Sequence, residues 1–345
     1  MEQGRRQELK SGKLVSNLLE AAVLARTGRR RREVLVRAGI GLDSTAIDLG
    51  GDLAVLSTDP ITGAAGDVGY WAVHICCNDI AVFGAEPVAL LLTVLLPEGA
   101  TEEELTELSA SAHRAALELD LEIAGGHTEI TPAVRTTILS ATAVGRVPRQ
   151  RLITPDGARA GDLIVLTKGV GLEGTSILAE TLTDRLVAAG VSGSVLERAK
   201  EMRWELSVVP AARIAREHRP TAMHDPTEGG VLGAAYEMAE AAGLGFAIRS
   251  ADVPVRPETV ELARVLGFDA LRLISSGSLL CTVGAGAAAE RLLAALGEAG
   301  IGAAVIGEMT PREAGLRTVR ADGAVDEITA APRDELWRLL HDKSK

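Results

Sequence analysis

The sequence predicts an α+β protein of two domains, and three observations predict it. The chain has 345 residues, more than a single hydrophobic core usually organises. Short β-rich apolar runs alternate with stretches of helical period. A turn-rich connector, VPRQRLITPDGARAGD at 147–162, divides that pattern in two. With 47% hydrophobic residues and only 2% aromatics, the core must be built from Ala, Val, Leu and Ile.

Read in order, an N-terminal extension covers 1–38, a first domain 39–150, a second domain 151–330, and a last helix with its tail 331–345. In the first domain 55–58, 88–95 and 136–144 read as strands. Between the last two, Thr101 and Glu104 form a capping box, and Leu105, Leu108, Ala112, Ala115 and Leu119 repeat on one helical face. The stretch 68–85 is apolar nearly all round and reads as a buried helix. The run 88–95 is apolar on both faces, so a second copy of the chain is expected to cover one of them in a homodimer.

The second domain opens with the strand DLIVLTK and continues with helices over 175–189 and 194–203. A helix over 230–242 follows the turn MHDPTEGG. Strands are expected at 246–249, 279–283 and 303–306, with a helix over 287–299 between the last two. DELWRLLHDKSK reads as a short helix with a charged end.

A net charge of -11 argues against a general nucleic-acid binder, because phosphate-tracking surfaces need an excess of Lys and Arg. The basic run Arg26, Arg29, Arg30, Arg31, Arg32 and Arg37 reads as a solvated connector, with a phosphate clamp as the alternative. The opening MEQGRRQELKSGK has no apolar core of a signal peptide, and the longest apolar stretch, VALLLTVLL, is too short to span a bilayer. A cytoplasmic protein without a membrane partner is the expectation. Cys76, Cys77 and Cys281 form no CxxC pair, and adjacent cysteines in so apolar a stretch read as packing residues.

The chemistry lies in recurring acidic segments: LDSTAIDL around Asp43, LSTDPITG around Asp59, CNDIAVFGAEP around Asp79 and MHDPTEGG around Asp225. Each follows an apolar run and reads as a carboxylate at a strand end. Such carboxylates hold Mg²⁺ against a polyphosphate, because Mg²⁺ takes hard oxygen ligands and shares them with the nucleotide. Asp is also a turn and cap residue, and that reading stands beside the first. Gly169, Gly171 and Gly174 spell GxGxxG between a strand and a helix, the local setting of a dinucleotide fingerprint. The second strand ending in an acid, roughly 20 residues on, is missing, so a Rossmann oxidoreductase is the weakest alternative. What survives is a set of backbone N–H groups at a helix start, with Lys168 beside them, suited to an anion.

Taken together, GxGLDSTAI, LSTDPITG, CNDIAVFGAEP, GGHTEIT, LTKGVGLEGTSILA and HDPTEGG resemble the superfamily of aminoimidazole ribonucleotide synthetase, the PurM-like proteins. The branch of hydrogenase maturation factors HypE is most similar. The resemblance implies a homodimer in which the first domains share a β-barrel, a second domain folded as an α+β sandwich, and ATP with Mg²⁺ in a cleft near the interface. It implies phosphorylation or activation of a small acceptor. Asp43, Asp59 and Asp79 match the family's acids and are the expected Mg²⁺ ligands. His224, Asp225, Gly229 and Gly230 match its H-D-x-T-x-G-G turn, and Glu237 resembles an active-site acid of the following helix.

Departures bear on the substrate. Where HypE carries G-D-T-K, this chain has Gly126, His127, Thr128 and Glu129, with His127 expected to meet metal or phosphate. HypE bears its carbamoyl group on a C-terminal cysteine, whereas this sequence ends HDKSK and its last cysteine is Cys281. The expectation is therefore an ATP-dependent enzyme with catalytic Glu237, Lys168 and His127 that does not perform the HypE dehydration by itself. A HypE-type maturation factor, thiamine-monophosphate kinase activity and a non-catalytic nucleotide-binding dimer are the alternatives.

Overall fold

Small and β-branched residues alternating at 53–61 and 138–147 build the first sheet. In the computed structural model, which describes residues 16–61 and 67–341, its strands are β1 (Val34–Val36), β2 (Thr45–Asp48), β3 (Leu53–Ile61), β4 (Glu86–Leu96), β5 (Glu122–Ile130) and β6 (Ile138–Val147), in the order β1-β2-β3-β6-β4-β5. The opening segment, residues 62 and 63 of LSTDPITG, and the tail beyond 341 lie outside the described residues. The sheet begins before residue 39, because β1 pairs with β2, so part of the expected extension belongs to the first domain. The helix α1 (Ser16–Ala22) precedes it, and the exposed arginines between them are a solvated connector in which Arg31 pairs with Glu33 at 3.0 Å.

Two helices cover one face of this sheet. Leu53, Val55, Leu139, Ala141 and Ala143 point inward on alternating positions and pack under α2 (Val68–Val82), which is buried on every side from Gly69 onward. Outside it lies α3 (Glu102–Leu119), whose Thr101–Glu104 capping box forms as expected. Among the described residues nothing covers the opposite face, where Leu91 is 46% exposed.

The second sheet comprises β7 (Leu163–Thr167), β8 (Ala222–His224), β9 (Gly245–Arg249), β10 (Leu280–Val283), β11 (Ala303–Thr310), β12 (Leu316–Val319) and β13 (Val325–Glu327), in the order β13-β12-β9-β11-β7-β10-β8. Around it stand α4 (Leu172–Thr181), α5 (Thr183–Ala188), α6 (Gly193–Glu201), α7 (Val209–Glu217), α8 (Gly230–Ala242), α9 (Pro257–Leu266), α10 (Ala287–Glu298) and α11 (Glu335–His341). The single helix expected over 175–189 is two, broken at Leu182; there the Thr183 hydroxyl donates to the Ala179 carbonyl at 2.6 Å.

Central strands of this sheet are apolar on both faces because both are covered. Ile164 and Leu166 pack toward α8, while Val165 between them joins the cluster that contains α2, α7 and α10. Met223 and Cys281 join that same cluster, so α2 lies between the two sheets and belongs to both cores. Asn78 on α2 fixes the junction. Its amide donates to the Leu206 carbonyl and its carbonyl accepts from Val208 N–H, each at 2.8 Å and buried.

Candidate active site between the two sheets

The junction gathers acids from both domains. Asp79 lies on α2 rather than at a strand end, and Asp43 precedes β2. Asp59 lies within β3 on the face shared by Val55 and Ser57, and only Asp225 directly follows a strand, β8. The simple pattern of acids at strand ends is thus corrected: all-round burial of α2 lets a helix deliver an acid that sequence places after an apolar run. The four converge nonetheless, since Asp225, Asp59 and Asp43 all act on the charge of Asp79.

Asp79 is 3% exposed, and burial first, then those three carboxylates, push its carboxyl well above the usual range. One hydrogen bond opposes that rise: Ser57 Oγ, 2.9 Å from the Asp43 carbonyl, also lies 2.6 Å from Asp79 Oδ2 and donates to the carboxylate. Ser44 adds a bond to the Asp79 carbonyl at 3.0 Å.

His224 closes the other side. Nδ1–H donates to the Asp225 carbonyl at 3.0 Å, while Nε2 faces Glu237 Oε2 at 3.1 Å and Asp43 Oδ2 at 3.6 Å. Burial opposes its charge, but Asp43, then Asp225 and Glu237, outweigh burial and raise the imidazole well above its ordinary value. An imidazolium donates from both nitrogens and ligates nothing, so His224 is a fixed cation among the acids. Both carboxylate oxygens of buried Asp225 have no hydrogen-bond partner among the described residues. Donor atoms of Asp43, His224 and Asp225 lie within 4.8 Å of one another. The Asp43 and Asp225 oxygens at this spacing, those of Asp225 without a hydrogen bond among the described residues, fit a hard divalent cation such as Mg²⁺, and His224 stays outside the ligand set.

Other expected residues are placed elsewhere. Gly126, His127, Thr128 and Glu129 lie on the edge strand β5, exposed, with His127 Nε2 3.0 Å from Glu129 Oε2. The order β3-β6-β4-β5 puts them three strands from Asp59, about 14 Å along the sheet, and does not bring them to the acids of their own chain. Lys168 takes a left-handed backbone (φ 59), and its ammonium donates to the carbonyls of Glu205 and Ser207 at 2.7 and 2.8 Å. Burial lowers it to about 8. It anchors the segment before α7 rather than facing an anion.

The glycine loop is likewise occupied. N–H groups of Val170, Gly171 and Gly174 donate to Pro254 O, Ser275 Oγ and Ile274 O, leaving these donors no phosphate to cradle. Glu173, buried in the first turn of α4, adds a negative group there. Gly171 and Gly174 instead let this loop pack on 273–275.

Ser57, Ser44, Asn78, Glu173 and Asp334 were not legible as site residues. Only Ser44, Ser57 and Asn78 carried a signal, as neighbours of Asp43, Asp59 and Asp79 in their motifs. Burial pushes Glu173 from 4.5 to about 7, Ser276 hydrogen bonds opposing and Asp334 and Asp225 adding to it. A carboxyl raised on folding lowers stability as pH climbs from its unfolded toward its folded value. Glu173→Gln should therefore melt with wild type at about pH 4 and higher than wild type at about pH 8, a gain of up to about 3 kcal/mol, by calorimetry across pH.

Two α+β domains with a buried acid cluster at their junction define the class, and the comparisons specify it. Residues 41–147 match the family model described as AIR synthase related protein, N-terminal domain, and 159–319 match its C-terminal domain. The chain belongs to the AIR synthase related family. It is 30% identical to a putative hydrogenase expression/formation protein of Methanocaldococcus jannaschii over 88% of this chain and 90% of that one. It is 32% identical to carbamoyl dehydratase HypE of Cupriavidus necator over 70% of this chain and 68% of that one. The crystal structure of hydrogenase maturation protein HypE in complex with ATP superposes with a TM-score of 0.69 at 25% identity, covering 94% of this chain and 96% of that one. Among the described residues no helix is long and apolar enough to cross a membrane.

Proposed function

We propose that this protein is a Mg²⁺- and ATP-dependent enzyme that phosphorylates a small acceptor, working as a homodimer. The observation that carries the reading is the buried Asp225 carboxylate, whose oxygens accept no hydrogen bond among the described residues and which lies 3.9 Å from the His224 imidazole beside Asp43 and Asp79. Asp43, Asp59, Asp79 and Asp225 would hold the cation, which when bound neutralises phosphate charge and orients the γ-phosphoryl group. His224, kept cationic between Asp43 and Glu237, fixes the orientation of Asp225 and offsets part of the acidic charge. The acceptor oxygen forms the new P–O bond as the bond to ADP breaks, and Glu237, its Oε2 3.1 Å from His224 Nε2, is the carboxylate that would take the acceptor's proton. ATP bound to the HypE relative supports the nucleotide.

Two features support the dimer: the uncovered apolar face of the first sheet, and the exposed β5, whose His127 and Glu129 a dimer would bring toward the partner's acids. Carbamoyl dehydration by a cysteine-borne group, as in the HypE relatives, is disfavoured here. Cys76, Cys77 and Cys281 are buried, and burial pushes Cys76 and Cys281 up to about 12 and Cys77 higher still, where a thiol is no nucleophile. ATP turnover by purified protein, assayed with a panel of small hydroxyl, phosphate, amide and thiocarboxamide acceptors, should show acceptor-dependent ADP release. ADP release independent of every acceptor, or carbamoyl dehydration without a thiol partner, would overturn the reading.

A further inference from the structure

Among the described residues no hydrogen bond aims the Asp225 carboxylate, so its position depends on its 3.9 Å contact with the His224 imidazole and on the backbone of the turn 225–230. Two contacts from distant segments hold the backbone of that turn. Ser275 N–H donates to the Pro226 carbonyl at 3.2 Å, tying the turn to the loop beneath α4. The second comes from the far end of the chain: Asp334 Oδ2 accepts from Gly229 N–H at 2.7 Å, while its Oδ1 accepts from Leu336 N–H at 2.7 Å and starts α11.

The rest of this C-terminal segment is built to keep Asp334 there. Pro332 runs so close to Gly229 that a Cβ at 229 would lie 2.9 Å from its carbonyl oxygen. Trp337 Nε1–H donates to Glu228 Oε1 at 2.9 Å, reaching the same turn. Leu336 and Leu339, each 3% exposed, sink into the cluster of Leu178, Leu262 and Leu266. Arg338 donates to the Gly267 carbonyl at 2.8 Å. A helix of seven residues would not persist alone, so its burial serves the contact it presents.

We propose that 332–341 is a clasp on the Asp225 turn and that Asp334 is a positioning residue for metal–nucleotide binding, acting through the Gly229 amide. This rests on the Mg-ATP reading above. The clasp explains why a turn bearing a buried carboxylate without hydrogen bonds keeps one geometry, and it places 332–341 in the support of the site.

The test compares Asp334→Ala, Asp334→Asn and Leu296→Ala, a core change in α10 outside the clasp, in the full chain, by Mg-ATP calorimetry at 25 °C and amide hydrogen exchange over 226–233. Asp334→Ala should weaken Mg-ATP binding by about tenfold, the scale of losing a supporting shell around a metal ligand, and speed exchange in the turn. Asp334→Asn, which keeps one acceptor oxygen where the carboxylate uses two, should fall between Ala and wild type in both, and Leu296→Ala should lower the melting temperature with binding retained. Wild-type affinity and exchange in Asp334→Ala would overturn the clasp, as would a loss of affinity in Leu296→Ala equal to that in Asp334→Ala. If wild type itself does not bind Mg-ATP, the nucleotide reading fails, and the exchange data alone decide the clasp: faster exchange in Asp334→Ala supports it and unchanged exchange overturns it.

Discussion

Asp225→Asn is expected to lower ATP turnover by at least about a hundredfold, about 2.7 kcal/mol of transition-state stabilisation. The side chain is 0% exposed, nearly isosteric with Asn, and its oxygens accept no hydrogen bond among the described residues. Asn therefore removes a charge and a hard ligand without a void. Removing that charge also relieves Asp79, on which Asp225 is the largest of the neighbouring carboxylates to act. Turnover should fall while circular dichroism and melting temperature in the absence of metal are kept or improved, the pattern of an active site that opposes folding. Loss of activity together with loss of the folded state would assign Asp225 to the core instead.

Gly230→Ala is expected to cost at least about 3 kcal/mol of stability or to prevent folding. Gly230 begins α8 with φ +62, and a Cβ there would lie 2.6 and 2.7 Å from the carbonyl oxygens of Leu271 and Leu273. Both obstacles are backbone, so no rotamer relieves them. The turn would have to move away from 271–273, taking Asp225 and the start of α8 with it. Urea denaturation of the Ala variant measures this directly; a midpoint equal to wild type would show that the close approach is absent in solution.

How much of this was legible follows from which interactions are local. The capping box at Thr101 and Glu104 and the apolar face of α3 are set by neighbours three or four residues apart, and both form as read. The glycine pair at 229 and 230 signalled the start of α8, and the helix runs over Gly230–Ala242. β1, β2 and β5 were missed because their residues gain strand structure only by pairing: EIAGGHTEI is polar and glycine-rich, and it lies beside β4 as an exposed edge.

The site divides in the same way. Acids in motifs were visible, and the fold gathers Asp43, Asp59, Asp79, His224, Asp225 and Glu237. Lys168 and the glycine loop misled because an N–H or ammonium reads in sequence as an available donor, whereas here Glu205, Ser207, Pro254, Ile274 and Ser275 consume them. Asp334 lies 105 residues from the amide it serves, a separation no motif encodes.

The central claim is that the acid cluster binds a divalent cation together with ATP. Isothermal titration of wild type with ATP, with Mg²⁺ and then with chelator in its place, tests it directly, with Asp59→Asn and Asp225→Asn run alongside. Binding should require Mg²⁺ and should weaken by at least about tenfold in each variant, about 1.4 kcal/mol. Equal affinity with and without Mg²⁺, unchanged in both variants, would contradict it.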